Sequence, residues 1–382
     1  MMHILIAPNA FKNSLSAGEA AAAIQDGLRK SRLDCTTECF PVGDGGDGTC
    51  DLIIQQLGGT KVPADARDPF GRNIPTSFGL IENGRTAVIE MANASGLRLL
   101  KDNELDPLHA LSTGTGDLIR QALDKGVGRI IIGMGGSATV DGGVGILNAL
   151  GIRFLDASGN DLTAMPGSLT GLATIDDSGL DPRIASAELI VLCDVDTKLL
   201  GGHGSAAVFG PQKGASPGMV KQLDAALARF SQVALQLKGK DMSALKSGGT
   251  AGGAAAGLYQ FLGARLVNGI EYFLQLTGFD LALQRSGLLI TGEGSIDEQT
   301  LQGKGPFGVA VRAKAHGLPV IGLAGKLPPE ANAALQEYFD VLLPIGNEPS
   351  ELAAALQATA SNLQRTAMEL GNMLAIRPAH PL

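Results

Sequence analysis

Six short aliphatic runs, each leading straight into a loop of small and polar residues, constrain the fold of this chain more than any other feature. "HILIA" (3–7) leads to "PNAFKNS", "ECFPV" (38–42) to "GDGGDGT", and "RIIIG" (129–133) to "MGGSATVDGG". "LIVLC" (189–193) leads to "DVDTKLLGG", "LLIT" (288–291) to "GEGSIDEQT", and "PVIGLA" (319–324) to "GKLP". Runs this compact suit strands buried on both faces of a parallel sheet. Helical patterns lie between them. "SAGEAAAAIQDGLRK" opens with Ser16 and Glu19 at capping-box spacing and sets Ala20, Ala23, Ile24, Gly27 and Leu28 on one face. "CDLIIQQLGG" reads as a helix closed by glycine, and Asp106-Pro107 as the cap and first turn of a helix carrying Leu108, Leu111, Leu118, Ile119 and Ala122. Long helices are expected over 217–237 and 350–371. Strands alternating with helices predict an α/β fold. Residues 60–91 break the pattern with three extended runs separated by turn signals, the last of them Asn83-Gly84, a hairpin signature. A mixed or antiparallel patch is expected there.

Glycine supplies 53 of the 382 residues, about twice its usual ~7% share, and it clusters in these loops. The length suggests two domains. A net charge of −8 without any Lys/Arg block argues against nucleic-acid binding. The N-terminus lacks the charged and apolar regions of a secretory signal, and no apolar run reaches the ~18 residues of a membrane span. Cys35, Cys39, Cys50 and Cys193 read as reduced thiols, since the Cys35–Cys39 spacing has no second metal-ligating pair. A cytoplasmic protein is expected. The tail "RPAHPL" is expected to lack structure.

Ligands of an open parallel sheet bind beyond the carboxyl ends of its strands, where such loops converge. Glycine lets backbone N–H groups approach an anion, and a following helix N-terminus adds about half a positive charge. Acids in the same loops would repel a phosphate unless a cation lay between, and magnesium bridges carboxylate and phosphate oxygens. Glycine, carboxylate and lysine together therefore point to phosphoryl transfer assisted by Mg2+. Each piece has a plainer reading. Asp44 and Asp47 could form Asx turns, Asp194 and Asp196 could cap a strand end, and Lys213 and Lys304 could be solvated. What favours chemistry is the co-occurrence of these loops at strand ends.

The P-loop and protein-kinase signatures are absent. Gly133, Gly135 and Ala138 fit a dinucleotide fingerprint, with Asp156 at the ribose-binding spacing, so an NAD-dependent oxidoreductase is one alternative. Gly142 and Gly143 interrupt the helix that fingerprint requires. His109, His203 and His316 have no nucleophile signature beside them. A non-catalytic metabolite-binding paralogue is the other alternative.

"IAPNAFKNSLSA", "GDGGDGT", "RDPFGR", "AVIEMANASGL", "STGTGDLI", "GMGGSATVDGG", "VFGPQKGA" and "TGEGSIDEQTLQGKGPFGVA" occur in this order along the chain. In these stretches, from residue 3 to about 370, the chain resembles the bacterial glycerate kinases of the glycerate 2-kinase kind. The resemblance implies a two-domain type I fold: a Rossmann-like parallel-sheet domain over 1–65 and 285–382, and an inserted α/β domain with a mixed or antiparallel sheet over 66–284. It places the active site in the cleft between them. It also implies ATP-dependent phosphorylation of D-glycerate to 2-phospho-D-glycerate, the 3-phosphate being the alternative product, by a monomer or homodimer that binds neither nucleic acid nor membrane. The chain departs from the family at Asn9-Ala10, Val140 and "DVDTKLLG".

The reaction assigns candidate roles. Asp194, or second Asp297, accepts the proton of the attacking hydroxyl, and Lys304 neutralises charge on the transferred group. Lys12, Ser14, Asp44, Asp47, Arg67 and Arg72 are candidates for the substrate, with Lys12 and the two arginines suited to a carboxylate. Gly135, Gly136, Ser137, Thr139, Asp141 and Gly142 are candidates for the nucleotide phosphates. Glu293 and Asp297 are candidates for the metal.

Overall fold

The computed structural model describes residues 2–298, 300–330 and 332–376. The tail "RPAHPL", expected above to lack structure, lies outside the described residues. The strands, in chain order, are β1 (Met2–Ile6), β2 (Cys35–Cys39), β3 (Thr60–Arg67), β4 (Asn73–Ile81), β5 (Thr86–Glu90), β6 (Arg129–Gly133), β7 (Arg153–Leu155), β8 (Thr174–Asp176), β9 (Glu188–Cys193), β10 (Arg265–Asn268), β11 (Leu288–Ser295), β12 (Val320–Lys326) and β13 (Val341–Pro344). Five of the six aliphatic runs named above fall on strands to within a residue, whereas of "ECFPV" only Glu38 and Cys39 do, because β2 lies earlier, over Cys35–Cys39. Met1–Asp44 with Ile270–Leu382 form one compact unit and Gly45–Gly269 the other.

The first unit is a doubly wound sheet in the order β13-β12-β11-β1-β2, with every pairing parallel. Counting only this unit's strands, the order is 5-4-3-1-2. Its direction of winding reverses between β1 and β11, and ligands of such sheets bind at the carboxyl end of that switch point. Ile4, Ile6, Ile290 and Leu323 are fully or almost fully buried because helices cover both faces. One covering pair is the helix Ala17–Lys30, whose capping box forms as expected, and the helix Thr359–Leu374. They approach so closely that a Cβ on Gly27 would lie 2.2 Å from the Gln364 carbonyl oxygen.

The second unit has a six-stranded sheet, β10-β9-β6-β5-β4-β3. β3, β4 and β5 form an antiparallel meander, and the β4–β5 turn runs through Asn83 in the left-handed region, as the Asn-Gly signal predicts. From β5 onward, β5, β6, β9 and β10 pair in parallel. Ile130, Ile132, Val191, Leu227 and Phe230 are fully buried in its core.

Local differences have local causes. The compact division falls at residues 44/45 and 269/270 rather than at 65/66 and 284/285. β3 pairs with β4 along its whole length, which binds residues 60–67 to the second unit. Phe279 meets Phe40 edge-on, and Asp280 pairs with Arg312, which holds residues 279–284 in the first unit. The helix expected from Pro107 begins only at Thr113, because the Leu111 N–H turns away to the Pro69 carbonyl. The helix expected over 350–371 is two, Leu352–Gln357 and Thr359–Leu374. After β6 the next helix starts at Val144, behind Gly143 at φ 80°, so no strand–turn–helix fingerprint exists there. Asp156 accepts from the Ser158 and Asn160 N–H groups as an exposed turn former. Among the described residues, no helix is long and apolar enough to cross a membrane.

Candidate active site

In the first unit, the loops after β1, β2 and β11 meet at the switch point. The Asn9 N–H donates to the Gly292 carbonyl and the Val42 N–H to the Pro8 carbonyl, tying the three strand ends together. Asn9 Nδ2 donates to Asp44 Oδ2 at 2.9 Å, and the Gly305 N–H reaches the same oxygen at 3.3 Å. Gly305 begins the helix Gly305–Ala315, so Asp44 stands at a helix N-terminus, where a negative charge is favoured. A side chain at Gly305 would collide with Asn9.

Glu293 ends this cluster. It is 7% exposed, and Thr300 Oγ1 donates to its Oε1 at 2.9 Å. The same hydroxyl accepts from the Asp297 N–H, so Thr300 links the two acids. Burial raises the Glu293 pKa to about 7, against the pull of Lys304, the Thr300 hydrogen bond and Lys12, while the Asp44 charge pushes it further up. Lys12, Asp44 and Lys304 are therefore each within electrostatic reach of Glu293. Ser295 Oγ donates to Asp297 Oδ2. The donor set tests the magnesium expectation. Among the described residues no three His, Cys, Asp or Glu gather as a closed metal cage. Magnesium uses one or two carboxylates and completes its shell with water and phosphate. Asp44 and Glu293, two hard oxygen donors in mutual reach, fit that requirement.

In the second unit, the carboxyl ends of β5, β6 and β9 converge on residues 45–48. The Gly135 N–H donates to the Gly45 carbonyl at 3.0 Å. A Cβ on Gly135 would lie 2.4 Å from Gly46 Cα, and one on Gly45 would lie 3.0 Å from the Leu192 carbonyl. Asp47 sits against Gly136, whose φ is 70°. Beneath them Glu90, 3% exposed at the end of β5, accepts from the Gly48 and Cys50 N–H groups at the start of the helix Thr49–Gln56. Burial, then a hydrogen bond with Asp47, raises the Glu90 pKa to about 8, so near neutral pH it holds a proton against the Asp47 carboxylate. Arg98 donates to Asp47 Oδ1 at 2.8 Å and also to Asn93.

The loop after β6 is held from both sides. The Leu97 N–H donates to the Gly136 carbonyl and the Ala138 N–H to the Ser95 carbonyl. From below, Lys213 Nζ donates to Ser137 Oγ at 2.8 Å and to the Thr139 carbonyl at 2.7 Å. Among the described residues, the N–H groups of Gly136 and Ser137 have no acceptor. Two unbonded amides, one of them on exposed left-handed Gly136, form the kind of concavity that binds anions. Asp194 follows directly on β9 at the same edge of the sheet.

Several expected site residues have other occupations. Arg67 Nε and Nη2 bind Asp117, and Arg72 binds Asp68 and Glu104, so both guanidinium groups already hold carboxylates. Ser14 Oγ donates to the Leu356 carbonyl. Buried Asp141 accepts from Ser112 N–H and Oγ and from the Gly143 and Gly145 N–H groups, which makes it an internal brace rather than a phosphate-facing group. Gly142 faces the Phe230 ring.

The model of the glycerate kinase family matches residues 4–375. The chain belongs to this family. It is 43% identical over 369 residues to the glycerate kinase of Bacillus subtilis (strain 168), covering 97% of each chain. It is 42% identical over 375 residues to the glycerate 2-kinase of Escherichia coli (strain K12), covering 98% of each. A crystal structure from Salmonella typhimurium LT2, provisionally designated glycerate kinase 2, superposes with a TM-score of 0.82 at 43% identity over 98% of both chains. For this glycerate kinase family member, sequence reasoning missed Asn9 as a partner of Asp44, Glu90 beneath Asp47, Arg98 above it, and the burial of Lys213. One signal for Glu90 was available: an acid at the end of an otherwise apolar strand, "TAVIE", needs donors, and a neighbouring helix start supplies them.

Proposed function

We propose that this chain transfers the γ-phosphoryl group of ATP to the 2-hydroxyl of D-glycerate, giving 2-phospho-D-glycerate and ADP. The observation that carries the reading is the chemistry at the strand ends. The first unit presents carboxylates interleaved with lysines, Asp44 and Glu293 with Lys12 and Lys304. The second presents amides at Gly136 and Ser137 that are unbonded among the described residues. Family membership supports the acceptor, and the name of the Escherichia coli relative supports position 2 over position 3.

In this reading the Gly136 and Ser137 amides receive phosphate oxygens. Asp44 and Glu293 would hold magnesium, which would supply charge neutralisation to the triphosphate. Lys12 meets the glycerate carboxylate, since Arg67 and Arg72 are already paired. Lys304 faces the transferred group. Asp194 accepts the proton of the glycerate hydroxyl as its oxygen bonds to the γ-phosphorus and ADP departs. A cytoplasmic location is part of this reading, and the four cysteines are free thiols.

Phosphorus NMR of a mixture of enzyme, D-glycerate, ATP and magnesium tests the proposal. The expected spectrum gains ADP and a 2-phosphoglycerate resonance. A 3-phosphoglycerate resonance would overturn the regiochemistry, and unchanged ATP would overturn the activity.

A further inference from the structure

We propose that Lys213 is the buried cation of the phosphate-receiving loop 135–139, a positioning residue that charges the loop from below and aims the Ser137 hydroxyl at an incoming phosphate. The inference rests on the kinase reading above and deepens it.

Lys213 closes the short turn Pro211–Lys213 and is 2% exposed. Gly214 follows at φ 95°, where a Cβ would lie 2.7 Å from Leu105, so the turn is fixed against its surroundings. Both acceptors of the ammonium are neutral: a hydroxyl and a peptide carbonyl. Asp141 is the acid that acts on it electrostatically, and that carboxylate is already engaged by four donors. Burying an ammonium without a carboxylate partner is expensive, and an apolar side chain of similar volume would be the more stable choice. Burial accordingly pushes its pKa down to about 7. A charge kept at such a cost suits a site that must attract an anion.

The hydrogen-bond pattern shows how it would act. A hydroxyl has one donor and two acceptor positions. Ser137 Oγ uses an acceptor position on Lys213, which leaves its O–H free to donate. The flanking amides of Gly135 and Ala138 are tied to Gly45 and Ser95, so the intervening amides of Gly136 and Ser137 are held in place. Thr139 Oγ1, fully buried in the same loop, has no partner among the described residues. A polyanion on this loop would face two amides, one hydroxyl and a positive charge behind them.

The test separates charge from scaffold by two probes, inorganic tripolyphosphate and adenosine. Their dissociation constants are measured by calorimetry on the full chain at pH 6.5 with magnesium, for wild type, Lys213→Met and Lys213→Gln. The expected result is a loss of tripolyphosphate affinity of at least about tenfold in both variants, with adenosine affinity changed less than about twofold. Gln keeps two donors for Ser137 and Thr139, so it decides the matter if the Met variant does not fold. No loss of tripolyphosphate affinity, or an equal loss for both probes, overturns the proposal. Failure of the kinase reading would show separately, as wild-type protein that consumes no ATP with D-glycerate.

Discussion

Gly135→Ala should damage catalysis far more than stability. Gly135 is not among the glycines with positive φ, so alanine meets no backbone penalty there and the collision of its Cβ is the whole effect. That atom would sit 2.4 Å from Gly46 Cα and 2.7 Å from the Asp47 nitrogen, where ordinary contact begins near 3.4 Å. Both obstacles are backbone, so the loops must separate by about 1 Å. Overpacking of this kind costs about 1–3 kcal/mol. A 1 Å displacement of positioned groups costs about 100-fold in rate. Gly126→Ala is the matched control. Gly126 has φ 74° with nothing within 4 Å of its added Cβ, and it lies before β6, at the opposite end of the strand from the loop. Its strain should cost about 1 kcal/mol, with kcat/KM for ATP changed less than about twofold. Thermal unfolding and steady-state kinetics on the two variants read both effects. Equal activity in the two variants at equal stability loss would refute the claim that contact between loops 45–48 and 135–139 shapes the site.

Three further outcomes are expected. Asp194→Asn should lower kcat by at least about 100-fold with an unchanged unfolding midpoint, and near-normal turnover would remove Asp194 from the proton-accepting role. Burial raises the Glu90 pKa to about 8 in the native state, from an ordinary carboxylate value of about 4.5. The native state therefore binds the extra proton between these values, and this contribution to stability falls as pH rises from about 4.5 to 8. Glu90→Gln should remove that slope, gaining on wild type as pH rises from 5 to 9 in urea titrations, whereas parallel profiles would contradict it. Arg67→Ala should cost about 2 kcal/mol through its lost charged hydrogen bonds to Asp117, yet leave the KM for glycerate within about threefold. A large rise in that KM at unchanged stability would return Arg67 to the substrate.

The strands were legible because fully buried parallel strands must be continuous aliphatic runs, and Ile4–Ile6, Ile130–Ile132 and Leu289–Ile290 are that. The loops at their ends were legible for a related reason. Glycines packed backbone to backbone, as at Gly46 and Gly135, leave a compositional trace that a side-chain contact does not. What sequence patterning could not reveal is which charges are already spent. Arg67 and Asp117 lie 50 positions apart, and only the pairing of β3 with its neighbours and the placement of the helix Thr113–Asp124 bring them together. Lys213 looked solvated because it follows proline and glutamine in a glycine-flanked turn, and its burial is a tertiary outcome. Asp141, in a motif rich in candidate phosphate ligands, turned out to satisfy four internal donors.

The contact of Gly27 with Gln364 has a consequence for biosynthesis. The helix Ala17–Lys30 waits for a partner made only after residues 45–269, which are contiguous and can collapse as they leave the ribosome. Until residues 288–295 emerge, β1 and β2 remain a two-stranded fragment lacking β11. Truncation before Thr359 should therefore strand the N-terminal segment as a sticky, protease-sensitive arm on an otherwise folded middle.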